Sequence, residues 1–239
     1  MANHELISFP SPSALAWTAA DAWITVVEAA GRQTQPHLVA LSGGRIARQF
    51  FSAIVENAQK RKVSFAPVHF FWADERCVPP EDPESNYAVA NQLLFQPLAI
   101  AANQIHRIRG EIPPEEAASQ AAVELSRLAP TNSERQPVLD QVFLGMGEDG
   151  HVASLFPGMP EALVDSRVVY LAVTATKPPP RRITLAYAAI SAAREVWVLA
   201  SGQGKERALQ ASLRPDGQTP LSHVLRARRH TRIYSDVSA

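Results

Sequence analysis

Val138-Leu139-Asp140-Gln141-Val142-Phe143-Leu144-Gly145-Met146-Gly147-Glu148-Asp149-Gly150-His151 is the stretch that decides the fold of this 239-residue chain. Its first half, Val138 to Leu144, is an apolar run that reads as a buried strand. Gly145, Gly147 and Gly150 then let the backbone turn sharply and approach a ligand closely. Asp149 and His151 sit two apart at the tip of that turn. A histidine, with an ordinary pKa of roughly 6.5, suits general-base work near neutrality. A strand that ends in a glycine loop carrying such a group is where an open α/β sheet places its chemistry.

The three glycines also match the dinucleotide fingerprint G-x-G-x-x-G, which requires a helix of useful length directly after the loop. Here Phe156-Pro157-Gly158 reads as a stop soon after Gly150, so no nicotinamide or flavin is expected. Outward from the loop, strands and helices alternate. Residues 13–30 have helical spacing after Ser11-Pro12, a cap and first turn. His37-Leu38-Val39-Ala40-Leu41 is a strand ending in Ser42-Gly43-Gly44, followed by a helix with Ile46, Phe50, Phe51, Ile54 and Val55 on one side. Val68 to Trp72 is a strand ending in Asp74-Glu75-Arg76, and Ser85 caps a helix through Leu94. Ile105 to Ile108 and Arg167 to Val173 read as strands, and Glu115 to Leu128 as a helix. A stiff Lys177-Pro178-Pro179-Pro180 leads into Arg181-Arg182-Ile183-Thr184. Glu195 to Ala200 is a strand, Ser201-Gly202-Gln203-Gly204-Lys205 opens a helix, and Thr231 to Tyr234 is a last strand. This alternation predicts an α/β fold, a single doubly wound and mostly parallel sheet flanked by helices, in one domain over residues 1–239.

Composition narrows the partners. Lys+Arg and Asp+Glu balance at 23 each, so no overall field favours nucleic acid or an anionic membrane. A bound anion has to be held by a local cluster. Arg226, Arg228 and Arg229 read as a solvated face. The single cysteine, Cys77, forms no intramolecular disulfide and points to a reducing compartment, and Arg76 beside it is a cation that would lower its pKa. No signal peptide and no run of about 18 apolar residues is seen, so a cytoplasmic location is expected.

Four strand ends carry glycine or polar loops: Ser42-Gly43-Gly44-Arg45, Asp74-Glu75-Arg76, Glu148-Asp149-Gly150-His151 and Ser201-Gly202-Gln203-Gly204-Lys205. In a parallel sheet these share one edge. Ser42-Gly43-Gly44 before a helix offers backbone N–H groups and a helix N-terminus to an anion. Lys205 and Arg182 add cations suited to a phosphate. Asp74 and Arg76 read either as a local ion pair, or as a group that orients a substrate hydroxyl beside a cation that meets developing negative charge. Ser154 reads as a plain helix or loop hydroxyl. The seven histidines include no pair at metal-ligand spacing, so no metal is expected, and no G-x-S-x-G elbow points to a serine hydrolase.

These motifs, together and in order, resemble the 6-phosphogluconolactonases, which share a superfamily with the glucosamine-6-phosphate isomerases. The resemblance spans nearly the whole chain. It rests on Leu41-Ser42-Gly43-Gly44, Phe71-Trp72-Ala73-Asp74-Glu75-Arg76 with Val78-Pro79 and Ser85-Asn86-Tyr87, Gly145 to Gly158, Lys177-Pro178-Pro179 with Arg182-Ile183-Thr184, and Ser201 to Lys205. The resemblance implies the glucosamine-6-phosphate deaminase fold and a small-molecule sugar-phosphate lactone as substrate. It further implies no cofactor, and functional coupling to glucose-6-phosphate dehydrogenase, which forms that lactone. Under it His151 activates water, Arg76 faces the oxyanion, and Asp149 orients the imidazole or the sugar. Arg182, Lys205, Ser42 and the amides of Gly43 and Gly44 hold the phosphate. The deaminases follow the histidine with a Phe-Asn-Glu-Pro type segment, whereas this chain has Ser154-Leu155-Phe156-Pro157-Gly158, the lactonase form. One departure stands out: Arg45-Ile46-Ala47 replaces the usual Ser-Thr-Pro, so a hydroxyl pair is exchanged for a cation. An amino-sugar-phosphate isomerase or deaminase, and a non-catalytic sugar-phosphate sensor, are the competing readings.

Overall fold

A computed structural model describes residues 4–237. The chain runs β1 (Glu5–Ser8), α1 (Pro12–Ala30), β2 (His37–Leu41), α2 (Arg45–Arg61), β3 (Val68–Trp72), β4 (Asp74–Arg76), α3 (Asn86–Ala90) and α4 (Pro114–Leu128). It continues through β5 (Gln141–Gly145), α5 (Glu161–Val164), β6 (Tyr170–Thr174), β7 (Arg181–Leu185), α6 (Tyr187–Ala192), β8 (Glu195–Ala200), α7 (Glu206–Leu213), α8 (Pro220–Ala227) and β9 (Arg232–Ser235).

Six strands form one sheet in the order β1-β9-β8-β5-β2-β3, parallel throughout. The chain goes from β2 outward to β3 and then returns to the other side of β2 with β5. That reversal opens a crevice beyond the carboxyl ends of β2 and β5, the usual ligand position of such a sheet. There the two glycine loops meet: a Cβ on Gly145 would lie 3.7 Å from the Gly43 carbonyl.

A second, three-stranded antiparallel sheet, β4-β7-β6, extends the first. Its existence corrects the reading of Asp74-Glu75-Arg76 as a loop. Ala73, whose N–H donates to the Leu41 carbonyl, turns the chain out of β3 and straight into β4, where Arg76 pairs with Arg182 of β7. Two other expectations shift. Ile105 to Ile108 makes only one bridge, Ile105 to Phe70, and the helix capped by Ser85 passes into a π turn over Asn91–Phe95. The sequence does not predict β1, a short strand at the sheet edge paired to β9.

The core explains the order of the helices. Trp23 of α1 is fully buried against Phe50 of α2, Phe65, Phe70 of β3 and Phe143 of β5, with edge-on or tilted rings. Such aromatic contacts add to the area they bury. Ser11 caps α1 by accepting the Ala14 N–H, with Pro12 at the first position, as the sequence predicts.

The basic C-terminal cluster needs correction. Arg226 and Arg229 are exposed, but Arg228 is buried. Its guanidinium donates to the carbonyls of Ile190, Ser191, Ala193 and Arg194. These carbonyls lie in the last turn of α6 and just beyond it, so this arginine caps the end of that helix.

Candidate active site

Ser42, Gly43, Gly44, Arg45, Asp74, Arg76, His151, Arg182 and Lys205 all line one cleft at the β2–β5 crevice. Asp149 stands behind His151. Its Oδ1 lies 2.6 Å from Nδ1 of the imidazole and also accepts the His151 backbone N–H at 3.1 Å. Facing a carboxylate, Nδ1 carries the proton, which leaves Nε2 as the basic nitrogen. Burial works to raise the Asp149 pKa, but the backbone N–H, charge and ring of His151 hold the carboxyl below its ordinary value. The acid therefore stays ionised wherever the histidine works.

The loop geometry demands its glycines. A Cβ on Gly147 would fall 2.1 Å from the His151 ring, so only glycine lets the imidazole fold back onto Asp149. Gly150 has φ +80°, open to glycine at no steric cost. Phe156 packs its ring 4.9 Å from that of His151 and lies under the Arg182 guanidinium at 5.9 Å, a contact the sequence did not suggest.

Cations crowd the cleft. Burial first, and Arg76 second, lower the pKa of Arg182; burial first, and Arg45 second, lower that of Lys205. Two like-charged pairs are thus held together, one on the small sheet and one where α2 and α7 begin. Such an arrangement suits an anion. Arg76 does not pair with Asp74; its Nη1 donates to the Glu84 carbonyl at 2.8 Å and contacts the Glu84 carboxylate at 3.3 Å. The buried Arg76 Nε and Ser42 Oγ have no hydrogen-bond partner among the described residues. A buried polar atom left unpaired costs about 1–3 kcal/mol, and both of these belong to residues that line the cleft.

Asp74 and Ser154 depart from expectation. Ser154 is fully buried, and its Oγ donates to Asp74 Oδ2 at 2.7 Å. Asn86 Nδ2 contacts Asp74 Oδ1 at 3.3 Å. The sequence pattern points to neither donor, although Asn86 stands in the Ser85-Asn86-Tyr87 run close behind Asp74. Cys77 is also corrected. Burial, and then the charge of Glu75, push its thiol up to about 11, outweighing the nearby Arg181.

The fold and cleft are those of an α/β enzyme with a histidine-bearing glycine loop at the carboxyl edge of its sheet. Residues 10–234 match the family of glucosamine-6-phosphate isomerases and 6-phosphogluconolactonase, and the chain belongs to that family. A 6-phosphogluconolactonase of Mycobacterium tuberculosis is 34% identical over 218 residues, covering 90% of this chain and 87% of that protein. The structure of the 6-phosphogluconolactonase of Trypanosoma brucei superposes with a TM-score of 0.86 at 26% identity, covering 98% of this chain and 97% of the other. A monomeric glucosamine-6-phosphate deaminase shares the fold at a TM-score of 0.80 and 17% identity, over 97% of each chain.

Proposed function

We propose that this chain hydrolyses 6-phospho-D-glucono-1,5-lactone to 6-phosphogluconate, a step of the oxidative pentose phosphate pathway. The observation that carries the reading is the His151–Asp149 pair, 2.6 Å apart, in a cleft lined by Arg45, Arg76, Arg182 and Lys205. A lactone carbonyl is already electrophilic, so the reaction as proposed uses no metal and no redox cofactor. Nε2 of His151 takes a proton from water as the water oxygen attacks C1. Arg76 faces the oxyanion that forms, and its unpartnered Nε is a donor in reserve for it. When the bond from C1 to the ring oxygen breaks, the imidazolium returns its proton to that oxygen. Asp149 orients the imidazole and supports its charge, and Asp74 orients the sugar-facing wall of the cleft. The phosphate lies against Arg45, Lys205, Arg182, the Ser42 hydroxyl and the Gly43–Gly44 turn, where it opposes the N-terminus of α2. Binding so far from C1 supplies orientation.

The deaminase reading is weaker because Phe156, directly before Pro157, stands where the Phe-Asn-Glu-Pro type segment has its glutamate. The lactone source implies functional coupling to glucose-6-phosphate dehydrogenase, with no nucleic acid or membrane partner.

The test is a pulse assay. Glucose 6-phosphate is oxidised briefly, and loss of the δ-lactone is followed against its spontaneous hydrolysis. The protein should accelerate the decay, and His151→Ala should lower kcat by about 10²-fold or more. Near-wild-type turnover in His151→Ala would remove the general-base role, and no acceleration by the wild type would remove the lactonase reading.

A further inference from the structure

Asn86 opens α3 and is 5% exposed. Its Nδ2 donates to the Asp74 carbonyl at 2.8 Å and reaches Asp74 Oδ1 at 3.3 Å. Its Oδ1 lies against the other wall of the cleft, because a Cβ on Gly43 would fall 1.8 Å from it. One buried amide therefore spans from the Gly43–Gly44 turn to Asp74. The far side of Asp74 is held by Ser154 at 2.7 Å. Ala153, at φ +49°, is a left-handed turn in a residue with a Cβ, and it leads the chain from the His151 loop into Ser154. The two oxygens of Asp74 are thus engaged by one donor packed on the phosphate-side turn and one donor from the histidine loop. These links cross 12 and 80 residues of sequence and join the large sheet to the small one.

We infer that Asn86 is a positioning residue: through Asp74 it fixes the distance between the anion-binding turn at Gly43–Gly44 and the His151 loop. A substrate bearing phosphate at one end and the reacting carbonyl at the other must reach both loops at once. The spacing then decides whether C1 meets His151 when the phosphate is seated. A lactone without phosphate makes no such demand. This inference uses the lactonase reading for its kinetics but not for its geometry.

The experiment compares wild type and Asn86→Ala on 6-phosphogluconolactone and on unphosphorylated glucono-1,5-lactone, and measures inorganic phosphate binding to both proteins by calorimetry. Loss of one buried hydrogen-bonded link should lower kcat/KM on the phosphorylated lactone about tenfold, mainly through kcat, and leave the phosphate Kd within about twofold, because phosphate alone touches only one of the two loops. Hydrolysis of the unphosphorylated lactone should stay within about twofold of wild type. Asn86→Ser, which keeps a small polar side chain but not its reach, gives the same comparison if the alanine variant does not fold. Equal losses on both lactones would reduce Asn86 to a structural role and overturn the inference, as would no loss on either. If the wild type hydrolyses neither lactone, the lactonase reading fails, and binding decides: the Kd of 6-phosphogluconate, long enough to reach both loops, should rise in Asn86→Ala while that of phosphate does not, and an unchanged 6-phosphogluconate Kd overturns the positioning role.

Discussion

His151 enters the cleft with one ring nitrogen already engaged, and the cause lies two residues away in Asp149. That pair was legible in the sequence because it is local: Gly147 leaves room for the ring beside the acid, and Gly150 makes the turn between them. Asp74 was legible only as a residue type. Its donors come from Asn86 and Ser154, and nothing in a linear reading brings position 154 to position 74 before the sheets are assembled. Cys77 makes the same point in reverse. Arg76 precedes it in sequence, yet burial and Glu75 govern it and raise the thiol to about 11. Its thiolate is scarce below that pH, and the higher intrinsic nucleophilicity of a basic thiolate recovers only part of the loss. Alkylation by iodoacetamide at pH 8 should therefore be about tenfold or more slower in the native protein than in urea. Equal rates in the two states would contradict the assigned environment.

At the level of elements, α3 depends on a carboxylate from another strand. Glu75 of β4 accepts the N–H groups of Asn86 and Tyr87 and the hydroxyl of Ser85 at the start of the helix, as well as the N–H of Arg76. Burial drives its pKa up to about 7; the three backbone N–H groups oppose the rise and Asp74 adds to it. The unfolded chain releases this proton near 4.5, so between that pH and about 7 the folded state binds more protons than the unfolded one. Its contribution to stability is unimpaired in acid, falls as pH rises through this window, and levels off above it. The size is about 3 kcal/mol. The stability difference between wild type and Glu75→Gln should thus vary between pH 5 and pH 8, with the wild type relatively weaker at the higher pH. A difference independent of pH would show that the carboxylate is already ionised at pH 5. The Ser85 cap is readable from its spacing, but the acid that completes it is not, because Asp74-Glu75-Arg76 has the polar pattern of a loop and only its pairing with β7 makes it a strand.

Across the whole molecule, the alternation of strands and helices was enough to predict a parallel sheet with its loops on one edge. The strand order, which sets the crevice between β2 and β5, was not, since parallel pairing is decided by crossovers and burial and not by pattern within a strand. The charge balance has a consequence at this scale. With 23 basic and 23 acidic residues, the molecule has no net field to draw an anion from a distance. On the proposed reading, attraction for a phosphate must come from Arg45, Arg182 and Lys205 within the cleft. Salt at about 0.1 M screens over about 10 Å, and at about 1 M over about 3 Å. Exposed Arg45 should be screened readily, while buried Arg182 retains much of its pull at close range. Raising salt from low to molar strength should therefore increase KM for the phosphorylated lactone by a limited factor, severalfold and not several orders of magnitude, with kcat nearly constant. Glucono-1,5-lactone, lacking the phosphate, should show no such rise under the same salts. An equal rise for both lactones would trace the effect to general weakening of the protein, and a parallel fall in kcat would place the screened cations at the reacting carbonyl instead of at the phosphate.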